Sequence, residues 1–297
     1  MPAISRREFL VRSSLAAGAI AAAPHLSASD APAPAARPKL TSGADAVTVG
    51  RTKIETSLLG LGTGMTGGGR SSNHLRMGQV EFTKLLRHAL DRGVRYFDTA
   101  DMYGTHIFIR EALKKVDRDH IFIQTKTLAK HPEVLKADIE RFRQELGASK
   151  LDSLLLHCMT AKDWPTQMKP MIDVLVEARE KRLVRAVGIS CHGWDPLCAA
   201  VEEEWLDVQL VRINPFGAAM DAEPEKVVPM IQKMHDKGRG VIGMKICGGG
   251  SKTGAEDRQK SLKYVLGLGC VDCFAVGCES TQQLDEIMAQ IETALKA

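Results

Sequence analysis

The chain has 297 residues, 44% hydrophobic and 5% aromatic, with 40 Lys and Arg against 36 Asp and Glu. Much of the small positive excess sits in residues 1–43, where Arg6, Arg7, Arg12, Arg37 and Lys39 face only Glu8 and Asp30, so the rest is nearly neutral. With no basic stripe, RNA-binding signature or zinc-finger spacing, the composition argues against a nucleic-acid partner, and no run reaches the ~18 apolar residues of a membrane-spanning helix.

Residues 1–43 read as a segment apart from the fold. Ser5-Arg6-Arg7-Glu8-Phe9-Leu10 resembles a twin-arginine export signal, and Leu15 to Ala23 is a short, weakly apolar stretch with small residues after it. Asp30 to Leu40 is Pro/Ala-rich and reads as a spacer or cleavage region. Cleavage is expected between Ala23 and Ala36. The export machinery is then a partner, and the mature protein is periplasmic or secreted.

From Val47 onward short apolar strands alternate with longer amphipathic helices, which places one domain at residues 44–297. An N-terminal hairpin is expected over Val47 to Thr56 and the first barrel strand over Leu58 to Gly62. A helix at Val80 to Arg92 ends at Gly93 and leads to a second strand, Val94 to Asp98. A short helix from Ile109 to Lys115, a third strand Ile121 to Lys126, a helix Pro132 to Leu146 and a fourth strand Ser153 to His157 follow. The remaining strands are Arg185 to Ser190, Val208 to Ile213, Gly240 to Lys245 and Cys273 to Gly277. Helices are expected at Lys169 to Lys181, Pro224 to Lys237, Ala255 to Gly267 and Thr281 to Leu295. Strict alternation argues for a parallel sheet. Gly60-Leu61-Gly62-Thr63-Gly64-Met65 lacks the third glycine of a G-x-G-x-x-G turn, which favours a (β/α)8 TIM barrel over an open doubly wound sheet.

In such a barrel the chemistry sits at the C-terminal strand ends. Asp98, Lys126 and His157 close strands two, three and four, and Tyr103 follows Asp98 in Thr99-Ala100-Asp101-Met102-Tyr103-Gly104. A tyrosine with a pKa near 10 is a poor proton donor at neutral pH; a neighbouring lysine ammonium, kept charged by a carboxylate, is expected to stabilise its anion. Together FDTADMYG, TK and LLLH resemble the aldo-keto reductase family, from roughly Ser57 to the C-terminus. The resemblance implies reduction of a small-molecule aldehyde or ketone with hydride from a nicotinamide cofactor. Tyr103 would be the acid, Lys126 and Asp98 its tuning pair, and His157 the group orienting the carbonyl oxygen.

The cofactor side departs from the family. Ser190 keeps one member of a Ser-Asn pair, but Cys191 replaces the Asn. Leu210 stands in the slot that usually holds a Gln four positions before Asn214, while Gln209 points to the opposite face. Met244 takes the place of the aromatic that stacks on nicotinamide. Lys245, Gly248 and Lys252, in a glycine-rich loop, are candidates for the pyrophosphate. After the last strand, Gly277, Cys278 and Gln283 stand where the family often has Lys, Ser and Arg for a 2′-phosphate. Ser280 and Gln283 form an S-x-x-Q capping box, and Glu286 matches the adenine-side glutamate. Family prevalence puts NADP first and NAD close behind; the protein is expected to be a monomer.

Seven cysteines show no disulfide framework. His106, Cys158, Cys191 and His192 all fall near strand ends, and soft N and S donors of that kind suggest a metal-assisted enzyme as one alternative. A non-catalytic ligand-binding or accessory barrel is another. Trp164, Trp194 and Met220 are expected in loops over the active face, and Arg212 is a candidate receptor for an anionic group.

Overall fold

The structure is a computed structural model and describes residues 39–297. The segment expected to be an export signal and most of the Pro/Ala-rich stretch lie outside the described residues. Leu40–Ala297 forms one compact unit. No helix among the described residues is long and apolar enough to cross a membrane.

Strands β1 (Ala46–Thr48) and β2 (Glu55–Ser57) pair antiparallel as the expected hairpin. It is the floor of the barrel: Val49 and Ile54, 0% and 1% exposed, pack beneath Tyr96, Phe122, Leu155 and Val208. Eight parallel strands then close a barrel in chain order: β3 (Leu59–Gly62), β4 (Tyr96–Asp98), β5 (Phe122–Thr127), β6 (Leu151–Met159), β7 (Val184–Cys191), β8 (Val208–Arg212), β9 (Gly240–Met244) and β10 (Cys273–Gly277), which returns to β3. This is the predicted (β/α)8 TIM barrel.

Strand parity decides what each residue can do, because successive side chains face opposite sides. On β5 and β6, Phe122 and Leu155 join the inner cluster, while Ile123, Leu154 and Leu156 join the outer core beneath the helices. Gln124, Lys126, Ser153 and His157 share the inner parity. The outer helices form for the reasons their sequences suggest. Pro132–Leu146 starts with Pro in its first turn, where a missing N–H costs nothing. It buries Leu135, Ile139, Phe142 and Leu146 on one stripe and stops at Gly147, whose φ of 64° suits a residue without a Cβ.

Some elements differ from the sequence reading. Trp194–Glu202 is a helix, so Trp194 opens a helix instead of lying in a loop; Pro196 in its first turn masks the periodicity without breaking it. Trp164 likewise begins a short helix, Trp164–Gln167, and is a core residue at 1% exposure. Its indole Nε1 donates to Pro196 O at 3.1 Å. The helix expected from Ile109 begins at His106.

Candidate active site

The C-terminal strand ends bring Asp98, Tyr103, Lys126 and His157 together. Lys126 is 1% exposed and Asp98 8%. The ammonium donates to Asp98 Oδ1 and Oδ2, both at 2.8 Å, and to Thr99 O at 2.7 Å, so all three protons are engaged. Gln124 Nε2 donates to the same Asp98 Oδ1 at 3.0 Å and to Tyr96 OH at 2.9 Å. Burial pulls the Lys126 pKa down and Asp98 pulls it back up. The pair sits with Gln124 and Ser153 in a small buried polar layer above the apolar inner cluster.

Tyr103 closes a one-turn 3-10 helix, Asp101–Tyr103, that follows β4. Its ring lies 5.1 Å from Lys126 Nζ and meets the His157 ring edge-on, at 5.9 Å between centroids and 84° between planes. The loop after β3 covers the opposite side: a Cβ on Gly64 would fall 2.3 Å from Tyr103 Cε2, and one on Gly67 2.5 Å from Cδ1. Glycine is required there by close approach. Lys126 stands over the face of the ring, and burial sets the resting state of the phenol. Burial, with Asp98 and Cys158 nearby, pushes the Tyr103 pKa well above the ordinary phenol range. No lysine proton is left for a hydrogen bond to it. The phenol is therefore held protonated, as a donor must be before it acts.

His157 is placed by a defect in its strand. The pairing of β6 with β7 shifts between Leu156 and Met159, and Cys158 has a φ of 62°. A bulge of this kind re-aims a side chain at a barrel rim. Ser190 Oγ accepts from Cys158 N at 3.0 Å and so fastens the bulge. Burial, with the charges of Lys126 and His192, pushes the His157 pKa down to about 2, so the ring is neutral and can donate from one nitrogen only. Its Nδ1 is buried without a hydrogen-bond partner among the described residues. Beside it a cavity of about 180 Å³ has a mixed lining, with Leu128, Met159 and Met168 on one hand and Lys130, Thr160 and Gln167 on the other. A second cavity, about 280 Å³, lies at the hairpin end around Lys53, Thr56 and Arg95, away from these residues.

The cofactor candidates are scattered more widely along the same face. Asn214 is fully buried, and its amide is used internally: Nδ2 donates to Ala218 O and Lys245 O, and Oδ1 accepts from Phe216 N and Ala218 N. Met244 is half-buried at the end of β9 and packs against the inner cluster; Lys245 after it is exposed. Gly248 opens the turn Gly248–Gly250. Lys252 Nζ stands 4.9 Å from the Phe216 ring centre and Lys260 Nζ 5.3 Å from it, neither with an acidic partner among the described residues. Lys260 and Phe216 escaped the sequence reading, since nothing in either local pattern distinguishes a platform from ordinary surface. Gly277 lies against Met65, where a Cβ would come within 2.5 Å of its Cγ. Glu286 is paired with Arg258 Nη2 at 2.9 Å. Ser280 caps the last helix as predicted, although Gln283 Oε1 accepts from Glu279 N instead of Ser280 N. Leu210 faces the inner cluster while Gln209, on the outer side, donates to Cys191 Sγ at 3.6 Å.

The soft-ligand group is not assembled. Cys158 Sγ and His192 Nε2 are 3.5 Å apart, but Cys191 belongs to the outer core, one parity step from Ser190. His106 packs outside the barrel, between Glu145 Oε2 and Thr125 Oγ1, each at 2.7 Å. Asp101, His106 and Glu145 do offer ligand atoms within 4.8 Å of one another. Arg70 and Arg141 already occupy those carboxylates. Arg212 is not an open anion receptor: it is ion-paired with Asp221, which also accepts from Gly193 N at 2.6 Å.

A model of the aldo/keto reductase family matches residues 58–295. The chain belongs to the aldo/keto reductase family. Among curated members of the family, the NADH-specific methylglyoxal reductase of Escherichia coli K12 is 24% identical over 200 residues, 60% of this chain and 61% of that protein. The chloroplastic pyridoxal reductase of Arabidopsis thaliana is 35% identical over 122 residues, 35% of this chain and 33% of that protein. The matched stretches thus span from a third to about three fifths of those relatives. Among solved structures, the holo form of aldo-keto reductase AKR11C1 from Bacillus halodurans superposes with a TM-score of 0.67 at 17% identity, covering 85% of this chain and 95% of that one. The glycerol dehydrogenase AKR11B4 from Gluconobacter oxydans gives 0.66 at 15%, covering 85% and 94%. Likeness at that identity shows the barrel. The family generally uses NAD(P)H, and the residues here fit such a cofactor best at its charged end, where Lys252 and Lys260 have no acidic partner among the described residues.

Proposed function

We propose that this aldo/keto reductase reduces an aldehyde or ketone to an alcohol, with Tyr103 giving the proton to the carbonyl oxygen. The observation that carries the reading is the buried Lys126–Asp98 pair set 5.1 Å from the Tyr103 ring. A nicotinamide cofactor supplies the hydride when bound. Neutral His157 donates a hydrogen bond to the carbonyl oxygen and aims it at the phenol. As negative charge grows on that oxygen, Tyr103 releases its proton and the Lys126 ammonium stabilises the resulting phenolate across the ring. Asp98 keeps the lysine charged against the pull of burial.

Tyr103→Phe is the direct test: turnover with simple aldehydes should fall by about 10²–10⁴ with cofactor affinity unchanged. Full activity would remove Tyr103 from the chemistry. No turnover by the wild type with any carbonyl and either cofactor would favour a binding barrel.

For the cofactor, Ser190, Asn214 and Met244 support the nicotinamide end by shaping the strand tips, and Lys245, Gly248, Lys252 and Lys260 suit the phosphates. Gly277 and Glu286 fall toward the adenosine end suggested by the family resemblance. Glu279 immediately precedes the cap of the last helix, and Arg258 is already paired with Glu286. Like-charge repulsion there favours NAD over NADP. Fluorescence titration giving tighter binding of NADPH than of NADH would reverse this order.

Export as a folded monomer through the twin-arginine pathway, with residues 1–43 as signal and spacer and 44–297 as the mature barrel domain, is part of the same proposal. It rests on Ser5 to Leu10. Replacing Arg6 and Arg7 by Lys should hold the protein in the cytoplasm; an unchanged distribution between fractions would refute it.

A further inference from the structure

Tyr103 has no hydrogen bond at its reactive end among the described residues, so its position depends on how its backbone is held. The turn that carries it is short, with Tyr103 N bonded to Ala100 O at 3.0 Å and Gly104 N to Asp101 O at 3.2 Å. A larger anchor comes from side chains outside the barrel. Asp101, which opens the turn, accepts at Oδ1 from Arg70 Nη1 at 2.8 Å and from Arg141 Nη1 at 2.7 Å. Arg141 also donates to Glu145 Oε1 at 3.1 Å and to Asp138 Oδ1 at 2.6 Å. Arg70, from the loop that covers the Tyr103 ring, reaches Glu145 Oε1 at 3.0 Å.

The same network reaches the strand that carries Lys126. Asp138 Oδ2 accepts from Thr127 Oγ1 at 2.6 Å, and Glu145 is joined through His106 to Thr125 Oγ1. Thr125 and Thr127 flank Lys126 and point outward while Lys126 points inward. One set of ion pairs therefore grips the proton-donor turn, the loop over it and both neighbours of the lysine. Burial opposes ionisation of Glu145, but hydrogen bonds from His106, Arg70 and Arg141 prevail and hold its pKa down to about 2, so the network stays charged across the working pH range.

We infer that Asp101 and Arg141 are positioning residues for proton transfer: they set the distance of the Tyr103 hydroxyl from Lys126 and His157 without touching substrate. The inference rests on Tyr103 being the proton donor. A displacement of about 1 Å at such a donor is enough for a loss on the order of 10²-fold.

The test is a kinetic double-mutant cycle in the full-length protein with a simple aldehyde. Asp101→Asn keeps the shape of the turn and removes the charge that receives both guanidinium groups. Its kcat should fall about 10- to 100-fold, with cofactor affinity by fluorescence unchanged. In the Tyr103→Phe protein the same change should alter residual kcat less than about twofold, because the lost step is already absent. Arg141→Met should repeat the pattern and Arg141→Lys recover part of it. A solvent deuterium isotope effect on kcat that rises in Asp101→Asn gives a readout independent of the amount of folded protein. Arg70→Met, at a half-exposed loop residue, probes the same carboxylate with less risk to the fold. Full kcat in Asp101→Asn and Arg70→Met, an equal loss in the Tyr103→Phe background, or an unchanged isotope effect would reduce the network to a structural ion cluster. Full activity of Tyr103→Phe alone would overturn the donor assignment and this inference with it.

Discussion

Asp98→Asn should destabilise the fold far more than its near-identical shape suggests. The Lys126 side chain is 1% exposed and has Asp98 oxygens at 2.8 Å on two sides. With the carboxylate gone, a buried ammonium faces an amide and one carbonyl, and breaking one side of such a pair costs about 3–5 kcal/mol. At about 2–4 °C per kcal/mol for a domain of this size, the melting temperature should drop by roughly 6–20 °C. Lys126→Met, which strands the carboxylate instead, should cost a similar amount. The double variant should return to within about 1 kcal/mol of wild type, because replacing both charges removes the desolvation penalty together with the attraction. It should nevertheless be catalytically dead. Urea unfolding of all four proteins, followed by circular dichroism, measures the cycle. If the double variant loses the sum of the two single losses, the charges are not coupled and the pair does not explain why Lys126 is tolerated inside the barrel.

His157 titrates at about 2 in the folded protein against 6.5 in a free chain, so the unfolded state takes up the proton first. Stability is therefore full above pH 6.5 and declines as pH falls below it, by up to about 1.4 kcal/mol per unit. Between pH 6.5 and 4.5 wild type should lose about 2.3 kcal/mol more than His157→Gln by urea unfolding; parallel profiles would contradict the buried neutral ring. Gly64→Ala places a Cβ 2.3 Å from the Tyr103 ring and should cut kcat by about 10- to 100-fold. Gly68→Ala in the same loop meets nothing within 4 Å and should behave as wild type, and equal losses for the two would show that the loop merely folds poorly.

Much of the barrel and the shared face of the quartet were legible because strand parity is a sequence property. Lys126 and Gln124 have one parity and Thr125 and Thr127 the other, and the same rule separates Leu210 from Gln209. Strand order also follows chain order around this barrel, so strand ends could be assigned to one rim before any contact was known. The errors came where position depends on another element. His106, near a strand end in sequence, faces a helix outside the barrel because the helix phase turns it toward Glu145. Arg212 lost its open charge to Asp221, nine residues away across a loop whose path no local pattern specifies.

The sequence by itself determined the alternation of strands and helices, the inward parity of Lys126 and His157, and the residue types that meet at one rim. The tertiary structure alone decided their electrostatic state. Burial beneath the Gly64 and Gly67 loop keeps the Tyr103 phenol protonated, the bulge at Cys158 aims His157, and ion pairs from Arg70 and Arg141 anchor the turn between them. Desolvation and side-chain direction depend on what covers a group from elsewhere in the chain, and local spacing carries no record of that.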